Sequence, residues 1–410
     1  MPPRARTLVV GCAATLLFGG CSSADSTPQS PVVSSASTVS APDTTRTSLQ
    51  STSTSPTTAP EVTPAPPTTA APPLDTVEGI ASLLADLTLR DQFSGVVLIA
   101  RGDDVVFEFA NGLADRESNV PIDMDSKFNL GSMSKMFTAV AILQLAEQQM
   151  LALDGTIALY LPDYPNTGVA GQVTIEQLLT HTSGLGDTFT ARFEANPNQF
   201  RSNADYLPLF ADEPLQFTPG EQFLYSNAGY AVLGLIIEQV SGQSYLDYVR
   251  SNIFEPSGMA NTDSYDIEDD IPDLAIGYTT QDIHGNQTGV LAANTPLMPG
   301  RGFAAGGGYS TAGDLLRFRN ALLSHQLLSP VSLDLLITGR VQVGEQARYA
   351  LGFFDRVQAG QRVVGHGGGA PGVCSSLGMY PETGHTVVVL SNSDSDCLAV
   401  LDHLKDNPLQ

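Results

Sequence analysis

The chain has 410 residues, 42% of them hydrophobic, and a formal net charge of −24. So acidic a chain is a poor partner for nucleic acid, and it offers no basic patch to hold an anionic lipid surface. Length alone allows two average domains, but a large amino-terminal share lacks the composition to fold, which leaves one catalytic domain as the better count.

In chain order, residues 1–20 carry Arg4 and Arg6, then an apolar run over residues 8–18, then Gly19-Gly20-Cys21. This is the pattern of an export signal, too short to span a membrane as a mature helix. Its ending resembles a bacterial lipoprotein cleavage site. That resemblance implies lipidation of Cys21 and anchoring to the outer face of the bacterial cell membrane, with plain secretion as the alternative. Residues 21–73 are rich in Ser, Thr, Pro, Ala and Val without an aromatic residue, so they read as a disordered tether. As a flexible coil the tether would span on the order of 40 Å, within reach of cell wall, and its composition permits O-glycosylation without requiring it. Residues 74–410 are left as the folded domain.

Two strands are predicted at 93–100 and 105–110, rich in Val, Ile and Phe around the turn Gly102-Asp103-Asp104. Residues 132–319 read mainly as helices and loops. Met136 to Ala146 bears no charge and is apolar nearly all round, which predicts a helix buried in mid-domain. Thr174 with Gln177 forms a capping box, and residues 232–240 form an apolar helix ending before Gly242. Further strands are predicted at 350–357, 362–366, 375–380 and 385–391, and a short helix at 397–404. The last two strands flank the turn Pro381-Glu382-Thr383-Gly384. Strands at both ends with helices between them predict an α/β (α+β) fold, an antiparallel sheet flanked by helices with an inserted helical subdomain.

Ser132 and Lys135 stand three residues apart at the head of the buried helix, the S-x-x-K arrangement of serine acyl-transfer enzymes. Residues at i and i+3 share a helix face, so the amine can reach the hydroxyl without tertiary help. Burial would disfavour the ammonium form, as a lysine accepting a proton near neutral pH requires. By itself the spacing is common, with serine as a cap and lysine solvated. Tyr225-Ser226-Asn227 and His366-Gly367-Gly368-Gly369 follow in the order such hydrolases need.

With VTIEQLLTHTSGL at 173–185 and GGGYSTAGDL at 306–315, the chain resembles the serine beta-lactamase-related family. This family holds class C beta-lactamases, D-alanyl-D-alanine carboxypeptidases and related esterases. The resemblance covers roughly residues 78–405, and it implies a beta-lactamase/transpeptidase-like fold with its site in a cleft between the sheet and the helical subdomain. It further implies Ser132 as nucleophile, Lys135 and Tyr225 jointly as base and proton carrier, and Asn227 as a hydrogen-bonding partner of the substrate's acyl amide. The amide of Gly369 would share the oxyanion with that of Ser132, and Gly368 would let substrate approach the strand.

His366 stands where the family's K-T-G lysine is usual, and Gly367 replaces the threonine, which weakens any case for gripping a substrate carboxylate. His181 reads as the marker of a helix end. Thr311 with Asp314 reads as a helix cap, although the stretch nearly matches G-x-S-x-G. The acidic run Asp266 to Asp270 lacks the spacing of a calcium loop, and no C-x-x-C or histidine pair suggests a metal, so no cofactor is called for. Cys374 and Cys397 would be brought close by the final hairpin and either pair or remain buried thiols, the disulfide being favoured in an oxidising compartment.

The sequence thus points to a serine hydrolase acting on small esters or amides in the cell envelope. The alternatives are a D,D-carboxypeptidase on peptidoglycan stem peptides and a catalytically silent lipoprotein that binds cell wall or a protein. The partner is a small-molecule or peptide substrate; the sequence carries no signal for subunit number.

Overall fold

The computed structural model describes residues 76–410. The stretches expected to be a signal segment and a tether, with Cys21, lie outside the described residues.

An antiparallel sheet of eight strands organises the domain. In chain order these are β1 (Gly95–Arg101), β2 (Asp104–Asn111), β3 (Val341–Gly344), β4 (Ala347–Tyr349), β5 (Phe354–Gln358), β6 (Gln361–Ala370), β7 (Val373–Tyr380) and β8 (His385–Ser391). Their order across the sheet is β2-β1-β8-β7-β6-β5-β4-β3. The sheet is therefore closed by sequence-distant strands, β1 pairing with β8 from Gly95↔Ser391 to Arg101↔His385.

Strand periodicity divides β1 between two cores. Val97 and Ile99 face one way and pack with Ile80, Leu84, Val400 and Leu404, from helices α1 (Thr76–Leu89) and α5 (Asp396–Asp406). Val96, Leu98 and Ala100 face the other way, into the larger core shared with the helical subdomain. At its centre runs α2 (Ser134–Glu147), buried on every side as its apolar sequence requires. Phe137 of α2 meets Phe254 and Phe318 edge-on at 5.0 and 4.9 Å between ring centroids. Beside α2 lies α3 (Asn227–Ser241), started by Ser226, whose Oγ accepts from the Gly229 N–H at 3.1 Å, and stopped by Gly242 at φ 72°. The capping box of Thr174 and Gln177 is present. Thr311 caps α4 (Ala312–Leu323) by accepting from the Asp314 N–H, so the near-match to G-x-S-x-G is a helix start.

Four predicted features differ. The strand expected at 350–357 begins only at Phe354, because Ala350 to Phe353 turn into the core. The strand expected to stop at His366 continues through the glycine run to Ala370, because every residue from Val364 onward is paired with β7. The region expected to be helices and loops holds an antiparallel hairpin, Tyr278–Gln281 with Gln287–Ala293. Strands β3, at the sheet edge, and β4 beside it are only four and three residues long, too short for their alternation to stand out in the sequence.

Cys374 and Cys397 form a disulfide with Cα atoms 5.7 Å apart, tying α5 to the start of β7.

Candidate active site

The chain from Phe128 to Lys135 carries the centre of the site. Phe128–Asn129 pairs with Tyr309–Ser310, and Asn129 Oδ1 accepts from the Gly131 N–H at 2.8 Å. Gly131, at φ 48°, turns the chain so that Gly131–Met133 forms one tight helical turn ahead of α2. Ser132 sits in this turn, partly exposed, while Lys135 one turn on is fully buried at 0% exposure. Neither serine nor lysine plays its ordinary role of cap or solvated chain.

Lys135 Nζ has three oxygen neighbours: Ser132 Oγ at 3.2 Å, Asn227 Oδ1 at 2.7 Å and the Ala305 carbonyl at 2.6 Å. An ammonium can donate to all three. A neutral amine can donate to Asn227 and Ala305 and turn its lone pair to the Ser132 hydroxyl, so the same frame serves a lysine before and after it takes the serine proton. The rings of Tyr225 and Tyr230 flank the amine, with centroids 4.8 and 5.3 Å from Nζ.

Tyr225 and Asn227 reach the site because they straddle the first residue cap of α3. The Ser226 N–H donates to His181 Nδ1 at 3.1 Å, and its hydroxyl donates to the Gly186 carbonyl at 2.6 Å. Asn227 Nδ2 donates to Asp187 at 3.0 Å while its oxygen faces the lysine, which fixes the side-chain amide at both ends. His181 ends the helix Ile175–Leu179 with φ 57° and stacks on Tyr225 at 4.2 Å between centroids. Burial first, then the charge of Lys135, hold its pKa well below the ordinary histidine value. It is a support for the Tyr-Ser-Asn turn, as the helix-end reading anticipated.

Across from these side chains lies β6. Gly368 is buried, and a Cβ built on it would stand 1.9 Å from the Leu130 carbonyl oxygen and 2.5 Å from Ser375 Oγ. The expected role of Gly368, admitting substrate to the strand, is therefore corrected: what approaches it is Leu130, two residues before Ser132. Gly369 is partly exposed, and its N–H lies 2.9 Å from where a Cβ on Gly131 would be, bringing a backbone donor beside the Ser132 turn.

The expected substrate contact through His366 also needs correction. Its ring is 2% exposed, with Nδ1 donating to the Gly367 carbonyl at 2.5 Å and Nε2 accepting from the Tyr349 hydroxyl at 3.0 Å. Both nitrogens are engaged inside the protein. Burial, then Lys135 and Arg356, push its pKa down to about 3 against the opposing Gly367 bond, so it stays neutral behind the site.

Among the described residues no group of His, Cys, Asp and Glu could hold a metal ion. The acidic run proves to be partly paired, Asp266 meeting Arg201 at 2.7 Å. With Asn129, Gly307 and Arg301 it borders a cavity of about 690 Å³. Sequence reasoning missed the Ala305 carbonyl and Asp187, neither of which stands in a motif tied to this chemistry.

Comparison with known proteins agrees with this geometry. The beta-lactamase family description matches residues 54–405. The chain is 34% identical over 331 residues to penicillin-binding protein 4* of Bacillus subtilis, covering 77% of this chain and 72% of that protein. A penicillin-binding protein from Bacillus halodurans superposes with a TM-score of 0.72 at 32% identity, over 79% of this chain and 98% of that one. D-amino acid amidase from Ochrobactrum anthropi SV3 superposes with a TM-score of 0.68 at 25% identity, over 81% and 99% of the two chains. The chain belongs to the beta-lactamase family and is a serine hydrolase of that family.

Proposed function

We propose, from that membership and from the three oxygens around Lys135, that this hydrolase forms an acyl-enzyme on Ser132 with small amides or esters of the cell envelope. The lysine frame carries the reading, because a surface or purely structural lysine has no use for an arrangement that suits both of its protonation states. Ser132 Oγ bonds to the acyl carbon as its proton passes to Lys135, with Tyr225 sharing the transfer to the leaving group. The carbonyl oxygen becomes an oxyanion between the N–H groups of Ser132 and Gly369, and collapse breaks the bond to the amine or alcohol. Water then attacks the ester along the same proton route and releases the acid.

His366 supports the preference for small amides and esters over penicillins. A neutral, buried imidazole offers no charge to a substrate carboxylate, which penicillins carry. D,D-carboxypeptidase action on peptidoglycan stems is the second reading, favoured by the relatives named penicillin-binding proteins. Labelling with fluorophosphonate and with fluorescent penicillin, on wild type and Ser132→Ala, tests both. Loss of both labels in the variant is expected, and a persistent label would overturn the assignment. The export reading is proposed alongside: Cys21→Ser should release the protein from the membrane fraction, and continued retention would count against a lipid anchor.

A further inference from the structure

We infer that Thr138 is a positioning residue for Lys135: its hydroxyl anchors the Ala304 carbonyl and so holds the next one, that of Ala305, where the lysine amine donates to it. The inference rests on the acyl-enzyme reading above. Phe303 to Gly306 form a tight turn closed by two backbone bonds, from the Phe303 N–H to the Gly306 carbonyl at 2.8 Å and from the Gly306 N–H to the Phe303 carbonyl at 3.0 Å. Its central residues are buried, Ala304 at 0% and Ala305 at 1% exposure, so their backbone polar groups need partners inside the protein. The Ala304 N–H donates to Asn203 Oδ1 at 3.1 Å, and the Ala304 carbonyl accepts from Thr138 Oγ1 at 2.7 Å. The Ala305 carbonyl accepts from Lys135 at 2.6 Å. Alanine brings no polar side chain, so the turn takes its setting from these outside groups.

The direction of these bonds follows from the groups. A carbonyl only accepts, so Thr138 gives its single proton to Ala304 at 2.7 Å in preference to the Ser134 carbonyl at 3.5 Å. Tyr245, whose oxygen lies 2.8 Å from Thr138 Oγ1, is then the donor of that pair. Burial raises the Tyr245 phenol above its ordinary value, against the Thr138 bond, so it keeps the proton it donates. Asn203 and Tyr245 share a further anchor: Asn203 Nδ2 and the Tyr245 N–H both donate to Glu238 Oε1, at 3.1 and 3.2 Å. Glu238 lies in α3, the helix that begins at Asn227. The two oxygens that the lysine meets outside its own helix, Asn227 Oδ1 and the Ala305 carbonyl, are thereby tied to one element. Thr138 stands three residues beyond Lys135 on the same face of α2, and it closes this frame onto the helix that carries the lysine.

A threonine that only satisfied a buried carbonyl would contribute to stability and leave turnover alone. Here the loss of its hydroxyl frees the peptide next to the one that orients the amine toward Ser132. A misplacement of about 1 Å at such a point can cost on the order of a hundredfold in rate.

The test compares two variants that divide the side chain between them. Thr138→Val keeps its shape and loses the O–H, whereas Thr138→Ser keeps the O–H and loses the methyl. With p-nitrophenyl butyrate as substrate, the valine variant is expected to lose about tenfold or more in kcat with KM within about twofold of wild type. The serine variant should stay within about threefold in kcat, although both melt at lower temperature than wild type. Wild-type kcat in Thr138→Val, or losses in both variants that simply track their melting temperatures, would overturn the inference. If the valine variant fails to fold, Thr138→Ala is read against Thr138→Ser, a pair that differs by one oxygen. Turnover at least about fivefold slower in the alanine variant is expected, and equal turnover would refute the role of the hydroxyl. Fluorophosphonate labelling of the same preparations separates this inference from the reading beneath it. A valine variant labelled as fast as wild type sinks only the role of Thr138, whereas unlabelled wild type removes the acyl-enzyme itself.

Discussion

The two walls of the site are built from different materials. The helical wall, from the head of α2 and the start of α3, is made of side chains: Ser132 and Asn227 meet the Lys135 amine, and the Tyr225 ring flanks it. The sheet wall is mostly backbone, since β6 brings the Gly369 N–H beside the Ser132 turn, buries the His366 ring, and at Gly368 has no side chain so that Leu130 can close against it. Chemistry and shape are thus divided between partners that meet at a single turn, Gly131 to Met133.

If that division holds, changes on the helical wall should cost activity and leave stability alone, while changes on the sheet wall should do the reverse. The largest effect is expected for Ser132→Ala: hydrolysis of p-nitrophenyl butyrate should fall by at least about a thousandfold, with the melting temperature unchanged. Lys135→Ala should lose about a hundredfold or more in kcat, and a loss under about tenfold would move the base elsewhere.

On the sheet wall, acid should reveal His366. Its pKa near 3 in the folded protein lies below the ordinary value of 6.5, so between those values the unfolded chain holds a proton that the folded one lacks. Stability is complete above 6.5 and is lost as pH falls toward 3, by up to roughly 4 kcal/mol from this group. Urea unfolding at pH 7 and pH 4.5 should show a smaller loss in His366→Phe than in wild type. His181, shifted the same way, would keep the loss from vanishing. For the same reason His366→Lys should fail to improve kcat/KM on a chromogenic cephalosporin, since it forces an ammonium into a buried space near Lys135.

Replacing Cys374 and Cys397 by serine should cost about 3 kcal/mol, for a closure spanning 23 residues, while fluorophosphonate still labels Ser132. Mass spectrometry that finds both cysteines alkylated without reductant would remove this prediction's premise. The smallest expected change is Gly368→Ala, destabilising by about 1–3 kcal/mol through the contact with Leu130. Because that contact also seats the Gly131 to Met133 turn, an activity loss larger than the stability loss explains would show that the walls are less separate than described.

The same division explains what could be read from sequence. Ser132 and Lys135 were legible because helix geometry alone brings them together, and Tyr225-Ser226-Asn227 because a cap and an apolar helix follow it. The buried α2 announced itself by lacking charge. The Ala305 carbonyl could not be foreseen, because a backbone oxygen leaves no trace in residue type. Asp187 lies forty residues from its partner Asn227 and in no periodic element, so only the fold puts them together. At His366 the sequence shows that the usual positive charge is missing, but not that the ring lies buried with both nitrogens bonded inside the protein. Residue type fixed its chemistry, whereas its burial depends on Tyr349, brought in by a strand of only three residues.

The pairing of β1 with β8 has a consequence in time. Val96 meets Leu390, so the sheet cannot close until nearly the whole domain has been synthesised. A strand made early must wait, with its hydrogen-bonding edge unsatisfied, for a partner made almost last, and loop closure over such a separation is slow. A growing chain therefore remains inert until its final strands arrive, and one cut short before them has no sheet wall against which to seat its serine.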